Sequence, residues 1–210
     1  MPGLRQDAKE SPWKVGLEIR RRLRWPYHRL LFALRGIAFP NGLRLFGTPL
    51  IQKTAGSEIT IGSNCVLNSE WGSNPLAPNH PVFLATRKPS AKIVIGKNFG
   101  MTGGTICAAE SVVIGDDVII GANCTVTDTD FHPIDRAERK ADSKAGRHRP
   151  VTIGNGVFIG MNCIVLKGTT IGDGVVVGAG SIVSGDIPAG HVYAGNPARE
   201  VRKLVSSDSL

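Results

Sequence analysis

The sequence contains no apolar run long enough for a transmembrane helix, which needs about 20 residues. Its best apolar stretch, LLFALRGIAF at residues 30–39, is short and interrupted by Arg35. This stretch also begins too far along the chain for a secretory signal peptide, which occupies the first residues of a precursor. We therefore expect a cytoplasmic protein.

Cysteine is scarce too, since the chain has four and none of them forms a CxxC pair. A metal site or a disulfide framework normally needs regularly spaced cysteines. Cys65, Cys124 and Cys163 instead share one position of the repeat described below, where small inward side chains are common. We interpret all four cysteines, Cys107 included, as packing residues, and we expect no metal requirement.

Residues 54–210 lack net charge, because they contain fourteen Lys or Arg and fourteen Asp or Glu. Residues 1–53 contain eleven and three, so that the net charge of +8 belongs to this N-terminal segment. No DNA- or RNA-binding motif accompanies the charge. We therefore expect no nucleic-acid partner, despite the high isoelectric point of the chain.

The segment 1–53 is predicted to be a basic helical extension, with a disordered end at residues 1–11. Ser11 and the proline after it are typical of a helix start. A basic helix, WKVGLEIRRRLRW, is followed by a second, PYHRLLFALRG, because Pro26 ends a helix or begins one, and Gly36 closes the second. The two helices either cap the first coil or contact another subunit, or they lie in a membrane interface and touch anionic lipid.

Twelve hexapeptides of one kind follow the extension, each beginning with a bulky apolar residue. Their first residues are Ile61, Ile95, Met101, Ile114, Ile120, Val126, Ile153, Ile159, Val165, Ile171, Val177 and Val183. A fixed short period of this kind indicates a repeat architecture, in which each unit packs on its neighbours.

The composition of the repeat predicts short strands joined by corners. The fourth position is Asn, Asp or Gly in eleven of the twelve hexapeptides. These residues tolerate the left-handed backbone conformation, in which other residues are strained. The density of glycine and of β-branched residues opposes a helix, so we expect an all-β domain that turns after every six residues.

Two interruptions of the period predict loops. The first and second repeats begin 34 residues apart, which is not a multiple of six and indicates an irregular insertion at 67–92. The sixth and seventh begin 27 residues apart, which indicates a second loop at 127–152. Asp130 would point inward in a continuing coil, and because a buried carboxylate is costly, we expect the coil to end before it.

The pattern over residues 54–200 resembles the hexapeptide-repeat acyltransferases. The resemblance implies a single-stranded left-handed parallel β-helix at 54–190. We interpret residues 191–210 as a capping segment, in which NPAREVRKLV forms a short helix after the turn AGNP. The motifs TDTDFHPID, PVTIGNGVFIGMNCIVLKG and AGNPAREVRK look like those of the sugar and xenobiotic O-acetyltransferase branch, which includes maltose and galactoside acetyltransferases.

In that branch, a histidine at the position of His132 is the general base that activates an acceptor hydroxyl. The resemblance assigns the oxyanion of the reaction to the backbone N–H of Met161, and Gly160 lets the thioester approach closely. Asp128 or Asp130 either orients the imidazole or caps the turn of the loop. Histidine suits the role of base because its pKa lies near physiological pH.

The resemblance also implies a binding site for acetyl-CoA, the acetyl donor. The residues expected to contact the donor are Gly160, Met161, Ala179, Ser184, Arg199, Arg202 and Lys203. The last three would bind phosphates, or else they are ordinary charges that offset the dipole of the C-terminal helix. Candidate acceptor contacts are Trp71, His80 and Phe158, with loop packing as the alternative for His80.

These features predict an acetyl-CoA-dependent O-acetyltransferase, active as a homotrimer with its sites between subunits. The acceptor is expected to be a sugar hydroxyl in surface polysaccharide or glycolipid synthesis, either a small molecule or lipid-linked. The alternatives are an antibiotic acetyltransferase, an amino-sugar N-acetyltransferase and a structural β-helix module. A zinc enzyme of the γ-carbonic anhydrase type lacks the three converging histidines that it needs.

Overall fold

The computed structural model describes residues 11–204. The predicted disordered end, except for Ser11, and residues 205–210 of the capping segment lie outside the described residues. Within them are two helices, α1 (Pro12–Leu34) and α2 (Arg136–Ala141), a 3₁₀ turn at Trp71–Ser73 and three sheets. The expected β-rich body with an N-terminal helix is confirmed.

Three sheets, here called A, B and C, form the body. Sheet A consists of β1 (Arg44–Phe46), β4 (Val66–Asn68), β7 (Gly100–Thr102), β10 (Ile119–Ile120), β13 (Phe158–Ile159), β16 (Val176–Val177), β19 (His191–Gly195) and β20 (Ala198–Lys203). Sheet B consists of β2 (Leu50–Gln52), β5 (Phe83–Thr86), β8 (Thr105–Ala108), β11 (Thr125–Thr127), β14 (Ile164–Val165) and β17 (Ile182–Val183). Sheet C consists of β3 (Glu58–Ile61), β6 (Lys92–Ile95), β9 (Ser111–Ile114), β12 (Val151–Ile153), β15 (Thr170–Ile171) and β18 (Asp186–Ile187).

From β1 to β19, successive strands enter the three sheets in rotation, from A to B to C and back to A. Each of β1 to β16 therefore pairs in parallel with the strand three places later, as Ile119 of β10 does with Phe158 of β13. This rotation agrees with a chain that turns a corner after every hexapeptide. Parallel strands buried on the inner face need the apolar first positions that the repeat supplies.

The corners use the left-handed conformation that the repeat predicts. Ten of the eleven predicted residues have a positive φ, namely Asn64, Asn98, Gly104, Asp117, Asn123, Gly156, Asn162, Gly168, Gly174 and Gly180. Asp186 does not, because Gly185 takes the left-handed conformation one residue earlier, at φ +78°, and Asp186 begins β18. The prediction of the corners is thus confirmed except in the last repeat.

The space between the sheets is filled by aliphatic side chains, one from the first position of nearly every hexapeptide. Cys65, Cys124 and Cys163 are fully buried among them, and all four cysteines are free thiols. Burial raises the pKa of the Cys107 thiol to about 11, and the hydrogen bond with Cys163, together with burial, raises the pKa of Cys124. Protonated thiols of this kind pack as small apolar groups.

Helix α1 is one continuous helix of 23 residues, and the predicted break at Pro26 is wrong. The proline removes one backbone hydrogen bond, but the burial of Leu17, His28 and Phe32 on both sides of it stabilises the helix through tertiary packing. Gly36, with φ +61°, follows the last turn as predicted. Ser11 precedes Pro12 but makes no side-chain capping hydrogen bond.

The sheets begin at Arg44, inside the segment that was predicted as extension, because β1 and β2 pair with later strands of the repeat. The predicted insertion at 67–92 likewise contains β5, which lies between β2 and β8 in sheet B. Eight of the twelve predicted hexapeptides have glycine at their second position, whereas Phe46, Gln52 and Ala85 follow the inward residues of β1, β2 and β5, so the hexapeptide pattern misses these strands. The loop after β11 is interrupted by α2, whose first amides are capped by Asp135.

The predicted C-terminal helix is wrong. Residues Ala198–Lys203 form β20, which pairs antiparallel with β19 after a turn at Asn196 and a cis-Pro197. Without β20, the outer edge of β19 would carry a row of unpaired amide and carbonyl groups. A strand that returns along this edge forms hydrogen bonds with them, whereas a helix cannot. The capping segment is therefore a β-hairpin at the edge of sheet A.

Candidate functional site

His132 lies exposed on the loop between β11 and β12, and its ring is held by the returning arm of that loop. Nδ1 lies 2.6 Å from the carbonyl oxygen of Ser143, and the backbone N–H of His132 donates to the carbonyl of Asp130 at 2.7 Å. Since a carbonyl only accepts, Nδ1 must carry the proton in the neutral ring. Nε2 is then the basic nitrogen, and a carbonyl orients it rather than a carboxylate.

Two contacts shape the turn that carries this imidazole. Phe131 has a positive φ of 63°, and the guanidinium of Arg87 lies over its ring at 5.0 Å. Gly146 passes so close to the turn that a Cβ there would lie 2.5 Å from the carbonyl carbon of Phe131. A glycine is therefore required at the point where the two arms of the loop meet.

Asp128 does not contact the imidazole. Its side chain is completely buried, and its two oxygens accept hydrogen bonds from the backbone amides of Ala109, Glu110 and Ser111 at 2.6–2.7 Å. Asp128 thus does not orient the base in this structure, and it caps a corner of the preceding coil rather than the turn of its own loop. The carboxylate satisfies three amides at the corner of the preceding coil, which explains how a charge can lie inside the body.

Asp130 pairs with a residue that the sequence did not indicate. The Nζ atom of Lys167 lies 2.7 Å from Oδ1 of Asp130, and both side chains are about three-quarters buried. Oδ2 of Asp130 is buried and has no hydrogen-bond partner among the described residues. Asp130 therefore anchors the root of the loop to the next coil, while its backbone carbonyl holds the amide of His132.

A groove of about 570 Å³ runs along the outer face of sheet A to the corner before sheet B. It is lined by four predicted residues, which are Phe158, Gly160, Met161 and Ala179. Phe158, which is 47 % exposed, stands between Ile119 of β10 and Val176 of β16 in the sheet. These three side chains form an apolar ladder along the groove, of which only Phe158 was predicted.

The corner of the groove presents an amide without a partner. The N–H of Gly160 donates to Val177 and that of Asn162 donates to Ala122, both at 2.8 Å. Across residues 11–204, no hydrogen bond is donated by the N–H of Met161 that lies between them. A Cβ on Gly160 would lie 2.5 Å from the amide nitrogen of Ala179, so the two coils approach closely here.

The other predicted contacts lie away from the groove. Trp71 is 76 % exposed, and His80 donates from Nδ1 to the carbonyl of Pro81 at 2.7 Å, within its own loop. The same loop instead reaches the groove through Asn74 and Leu76, which no sequence signal marked. Ser184 is exposed at the corner between sheets B and C.

The predicted phosphate ligands Arg199, Arg202 and Lys203 are exposed on β20. Their alternative role, as charges that offset a helix dipole, is excluded because they lie on a strand. In sheet A, β20 is two strands beyond β16, which lines the groove, and two strand spacings are about 10 Å. These cations therefore stand near the end of the groove, outside its lining.

One chain does not bring His132 to the groove. Met161 lies at the corner between sheets A and B, whereas the loop of His132 leaves the body at the corner between sheets B and C, where Asp130 pairs with Lys167. Met161 and Lys167 are six positions apart, so their Cα atoms lie at most about 20 Å apart, and His132 is not among the residues that line the groove. Within the described part of the chain, no three His, Cys, Asp or Glu side chains converge as metal ligands.

Two segments of the chain match families of hexapeptide repeats. Residues 150–185 match the family described as bacterial transferase hexapeptide (six repeats). Residues 93–128 match the hexapeptide repeat of succinyl-transferase. The two matches flank the loop that carries His132.

Two curated relatives are each similar to about half of the chain. Galactoside O-acetyltransferase of Escherichia coli (strain K12) is 42 % identical over 119 residues, which are 56 % of this chain and 57 % of the relative. WbbJ of the same strain, described as a candidate lipopolysaccharide biosynthesis O-acetyl transferase, is 39 % identical over 104 residues, 47 % of this chain and 53 % of WbbJ. The chain thus spans about half the length of the curated relatives it matches.

A solved structure shares the fold. AntD, an N-acyltransferase from Bacillus cereus in complex with dTDP and 3-hydroxybutyryl-CoA, superimposes with a TM-score of 0.62. The match covers 80 % of this chain and 82 % of the other at 18 % sequence identity. At that identity, the likeness concerns the fold alone.

Proposed function

We propose that this chain belongs to the hexapeptide-repeat acyltransferase family, whose models match two of its segments, and that it transfers an acetyl group from acetyl-CoA to a hydroxyl group of a sugar. The observation that carries the proposal is the orientation of His132, whose Nδ1–H is held by the carbonyl of Ser143 so that Nε2 remains basic. The galactoside O-acetyltransferase and WbbJ support a sugar as the acceptor and an oxygen as the acetylated atom.

The reaction needs one base and one oxyanion donor. Nε2 of His132 takes the proton of the acceptor hydroxyl while its oxygen attacks the thioester carbonyl of acetyl-CoA. The tetrahedral oxyanion is stabilised by the backbone N–H of Met161, which donates no other hydrogen bond within the described residues. When the C–S bond breaks, the sulfur leaves as a thiolate and receives the proton from the imidazolium, which restores the base.

The groove on sheet A is the proposed binding site of the donor. Its apolar ladder of Ile119, Phe158 and Val176 suits the pantetheine arm, and the close approach of Gly160 to Ala179 leaves room for it against the backbone. The cationic side chains of Arg199, Arg202 and Lys203 would bind the phosphates of coenzyme A, and Ser184 remains a further candidate contact.

The active form is proposed to be a homotrimer of left-handed parallel β-helices. The supporting observation is that Met161 and the loop of His132 lie at different corners of one chain, and that His132 does not line the groove. A second copy must then bring its His132 to the groove of the first, and closed cyclic symmetry repeats the site at every interface. The four free thiols fit the predicted cytoplasmic location, where thiols remain reduced.

The proposal is tested by the release of free thiol from acetyl-CoA over a panel of sugar, glycolipid, amino-sugar and antibiotic acceptors. Acceptor-dependent turnover is expected with a sugar hydroxyl and should fall about 10²–10⁴-fold in His132→Ala. His148→Ala, which removes a second histidine of the same loop that pairs with Glu110 and has no part in the proposed reaction, is the matched control. Turnover that survives the loss of His132 excludes it as the base, and turnover only with amines excludes O-acetylation.

The shared site is tested by mixing two inactive variants. His132→Ala removes the base, and Ala179→Trp fills the groove, so that each variant alone should be inactive. In mixed trimers, one of the three interfaces combines an intact histidine with an intact groove, and about one third of the wild-type activity should return. Mixed trimers without activity would exclude a site built from two copies.

A further inference from the structure

A stripe of exposed apolar side chains runs along helix α1 from Ile19 to its last residue, Leu34. The stripe consists of Ile19, Leu23, Tyr27, Leu30 and Leu34, whose exposed fractions are 53, 75, 55, 58 and 75 %. Their spacing of three and four residues places them on one face of the helix. Scattered apolar residues on a surface are ordinary, whereas a continuous stripe of five marks a contact surface.

The opposite face of α1 fixes the direction in which the stripe points. Leu17, His28 and Phe32 are buried on that face, and the helix packs on β1 of sheet A. The position is further held by Glu70, whose carboxylate pairs with Arg20 at 2.9 Å and with Arg24 at 3.3 Å. The helix therefore presents the stripe outward, away from the sheets.

Positive charge borders the stripe on both sides. Helix α1 contains six Lys or Arg residues and one Glu. At 100° per residue, Arg20 and Arg24 lie on one flank of the stripe and Arg22 and Arg29 on the other, and all four are exposed. An apolar face between two basic flanks is the pattern of helices that lie in the interface of an anionic membrane.

Exposed aromatic rings reinforce this pattern. Trp13 and Tyr27 of the helix are 51 % and 55 % exposed, whereas Trp25 lies near the buried face and packs edge-on against Phe39. Amphipathic rings of this kind prefer the headgroup region of a bilayer. Among the described residues, no helix is long and apolar enough to cross a membrane.

We propose that the stripe of α1 docks on an anionic lipid bilayer, with the helix lying parallel to the surface. The positive charge of the helix favours an anionic bilayer over a second copy of the chain as the partner of the stripe. Two copies packed through their stripes would bring two strongly cationic helices together, whereas negatively charged headgroups attract both basic flanks. The apolar side chains then enter the acyl boundary, and the sheets remain above the surface.

The test is co-sedimentation of the full chain with vesicles of phosphatidylcholine alone and of phosphatidylcholine mixed with phosphatidylglycerol. The double variant Leu23→Gln/Leu30→Gln shortens the stripe without altering charge. Val113→Gln/Val201→Gln is the matched control, since it replaces two exposed apolar residues away from α1. Thermal unfolding and light scattering check that the variants fold and keep the oligomeric state of the wild type.

The wild type and the control should bind the mixed vesicles, and binding should weaken with added salt. The stripe variant should lose more than about tenfold in partition coefficient. The proposal is overturned if the wild type ignores anionic vesicles, if it binds both kinds of vesicle equally, or if the stripe variant binds like the control. A change of oligomeric mass in the stripe variant, with unchanged vesicle binding, would assign the stripe to a second copy.

Discussion

The imidazole of His132 and the backbone carbonyl of Ser143 meet across the long loop, with 2.6 Å between Nδ1 and the oxygen. The two residues belong to opposite arms of the loop, so the base is positioned by the path of the returning arm. That path depends on Gly146, which passes directly beside the turn of Phe131 and His132.

Gly146→Ala is therefore expected to lower kcat by about 10–100-fold, because small misplacements of a catalytic group are costly. The added Cβ would lie 2.5 Å from the carbonyl carbon of Phe131 and 2.7 Å from the amide nitrogen of His132, and neither backbone atom can move alone. Steady-state kinetics and thermal unfolding measure the two effects. Gly72→Ala is the control, since its Cβ meets nothing within 4 Å. Wild-type kcat in Gly146→Ala would contradict this role of the glycine.

Asp128→Asn tests whether this buried carboxylate serves the turn or the base. The amide of asparagine would set an NH₂ group against at least one of the three backbone N–H donors of residues 109–111. We expect the free energy of unfolding to fall by about 2 kcal/mol, with activity lost only in proportion to the unfolded fraction. Denaturant unfolding and kcat on the same sample give both quantities. A large fall in kcat at an unchanged free energy of unfolding would show that Asp128 acts in catalysis rather than in the stability of the corner.

The pair of Asp130 and Lys167 is suited to a double-mutant cycle. Lys167→Met leaves a mostly buried carboxylate without its cation, and we expect a loss of about 1–2 kcal/mol, between the values for exposed and buried pairs. Asp130→Asn alone should cost a similar amount. The double variant should be more stable than the sum of the two losses predicts. Strictly additive losses would show that the contact of 2.7 Å carries no coupling.

The corners of the fold were predictable because each is decided by one local residue. Asn64, Asn123 and Asn162 adopt the left-handed conformation as expected from their place in the repeat. The early strands were missed because β1, β2 and β5 carry no such mark, and they join the sheets only by pairing with later strands. Local pattern is a weak guide where tertiary pairing decides the structure.

The candidate site divides in the same way. The resemblance to hexapeptide-repeat acyltransferases singled out Gly160, Met161 and Ala179, and the structure collects them in one groove. The contact of Lys167 with Asp130 joins residues 37 positions apart, and nothing in the two hexapeptides signals it. Asn74 and Leu76 reach the groove from an irregular loop, whose path no periodicity describes.

Phe158→Ala is expected to raise the KM for acetyl-CoA several-fold with little change in melting temperature. The ring is half-exposed in the groove, so its removal costs the fold little but removes apolar contact area from a bound donor. Val113→Ala, which shortens an exposed side chain on sheet C, should leave both quantities unchanged. An unchanged KM in Phe158→Ala would place the donor elsewhere.

His28 should make the stability of the protein depend on pH. Burial, and secondarily the charge of Arg24, lower the pKa of His28 below 6.5 in the folded chain. Below about pH 6.5, the unfolded chain takes up a proton at this residue, while the folded chain resists it because the ring is buried against the hydroxyl of Thr48. The unfolded state then binds more protons, so the free energy of unfolding falls as the pH falls.

His28→Gln removes this titration while keeping a polar side chain near Thr48. The melting temperature of the wild type should therefore fall more steeply between about pH 7.5 and 5.5 than that of the variant, because every other group titrates in both proteins. Each unit by which the folded pKa is lowered corresponds to about 1.4 kcal/mol at the acid end. Parallel pH profiles for the two proteins would show that His28 is protonated as readily in the folded chain as in the unfolded one.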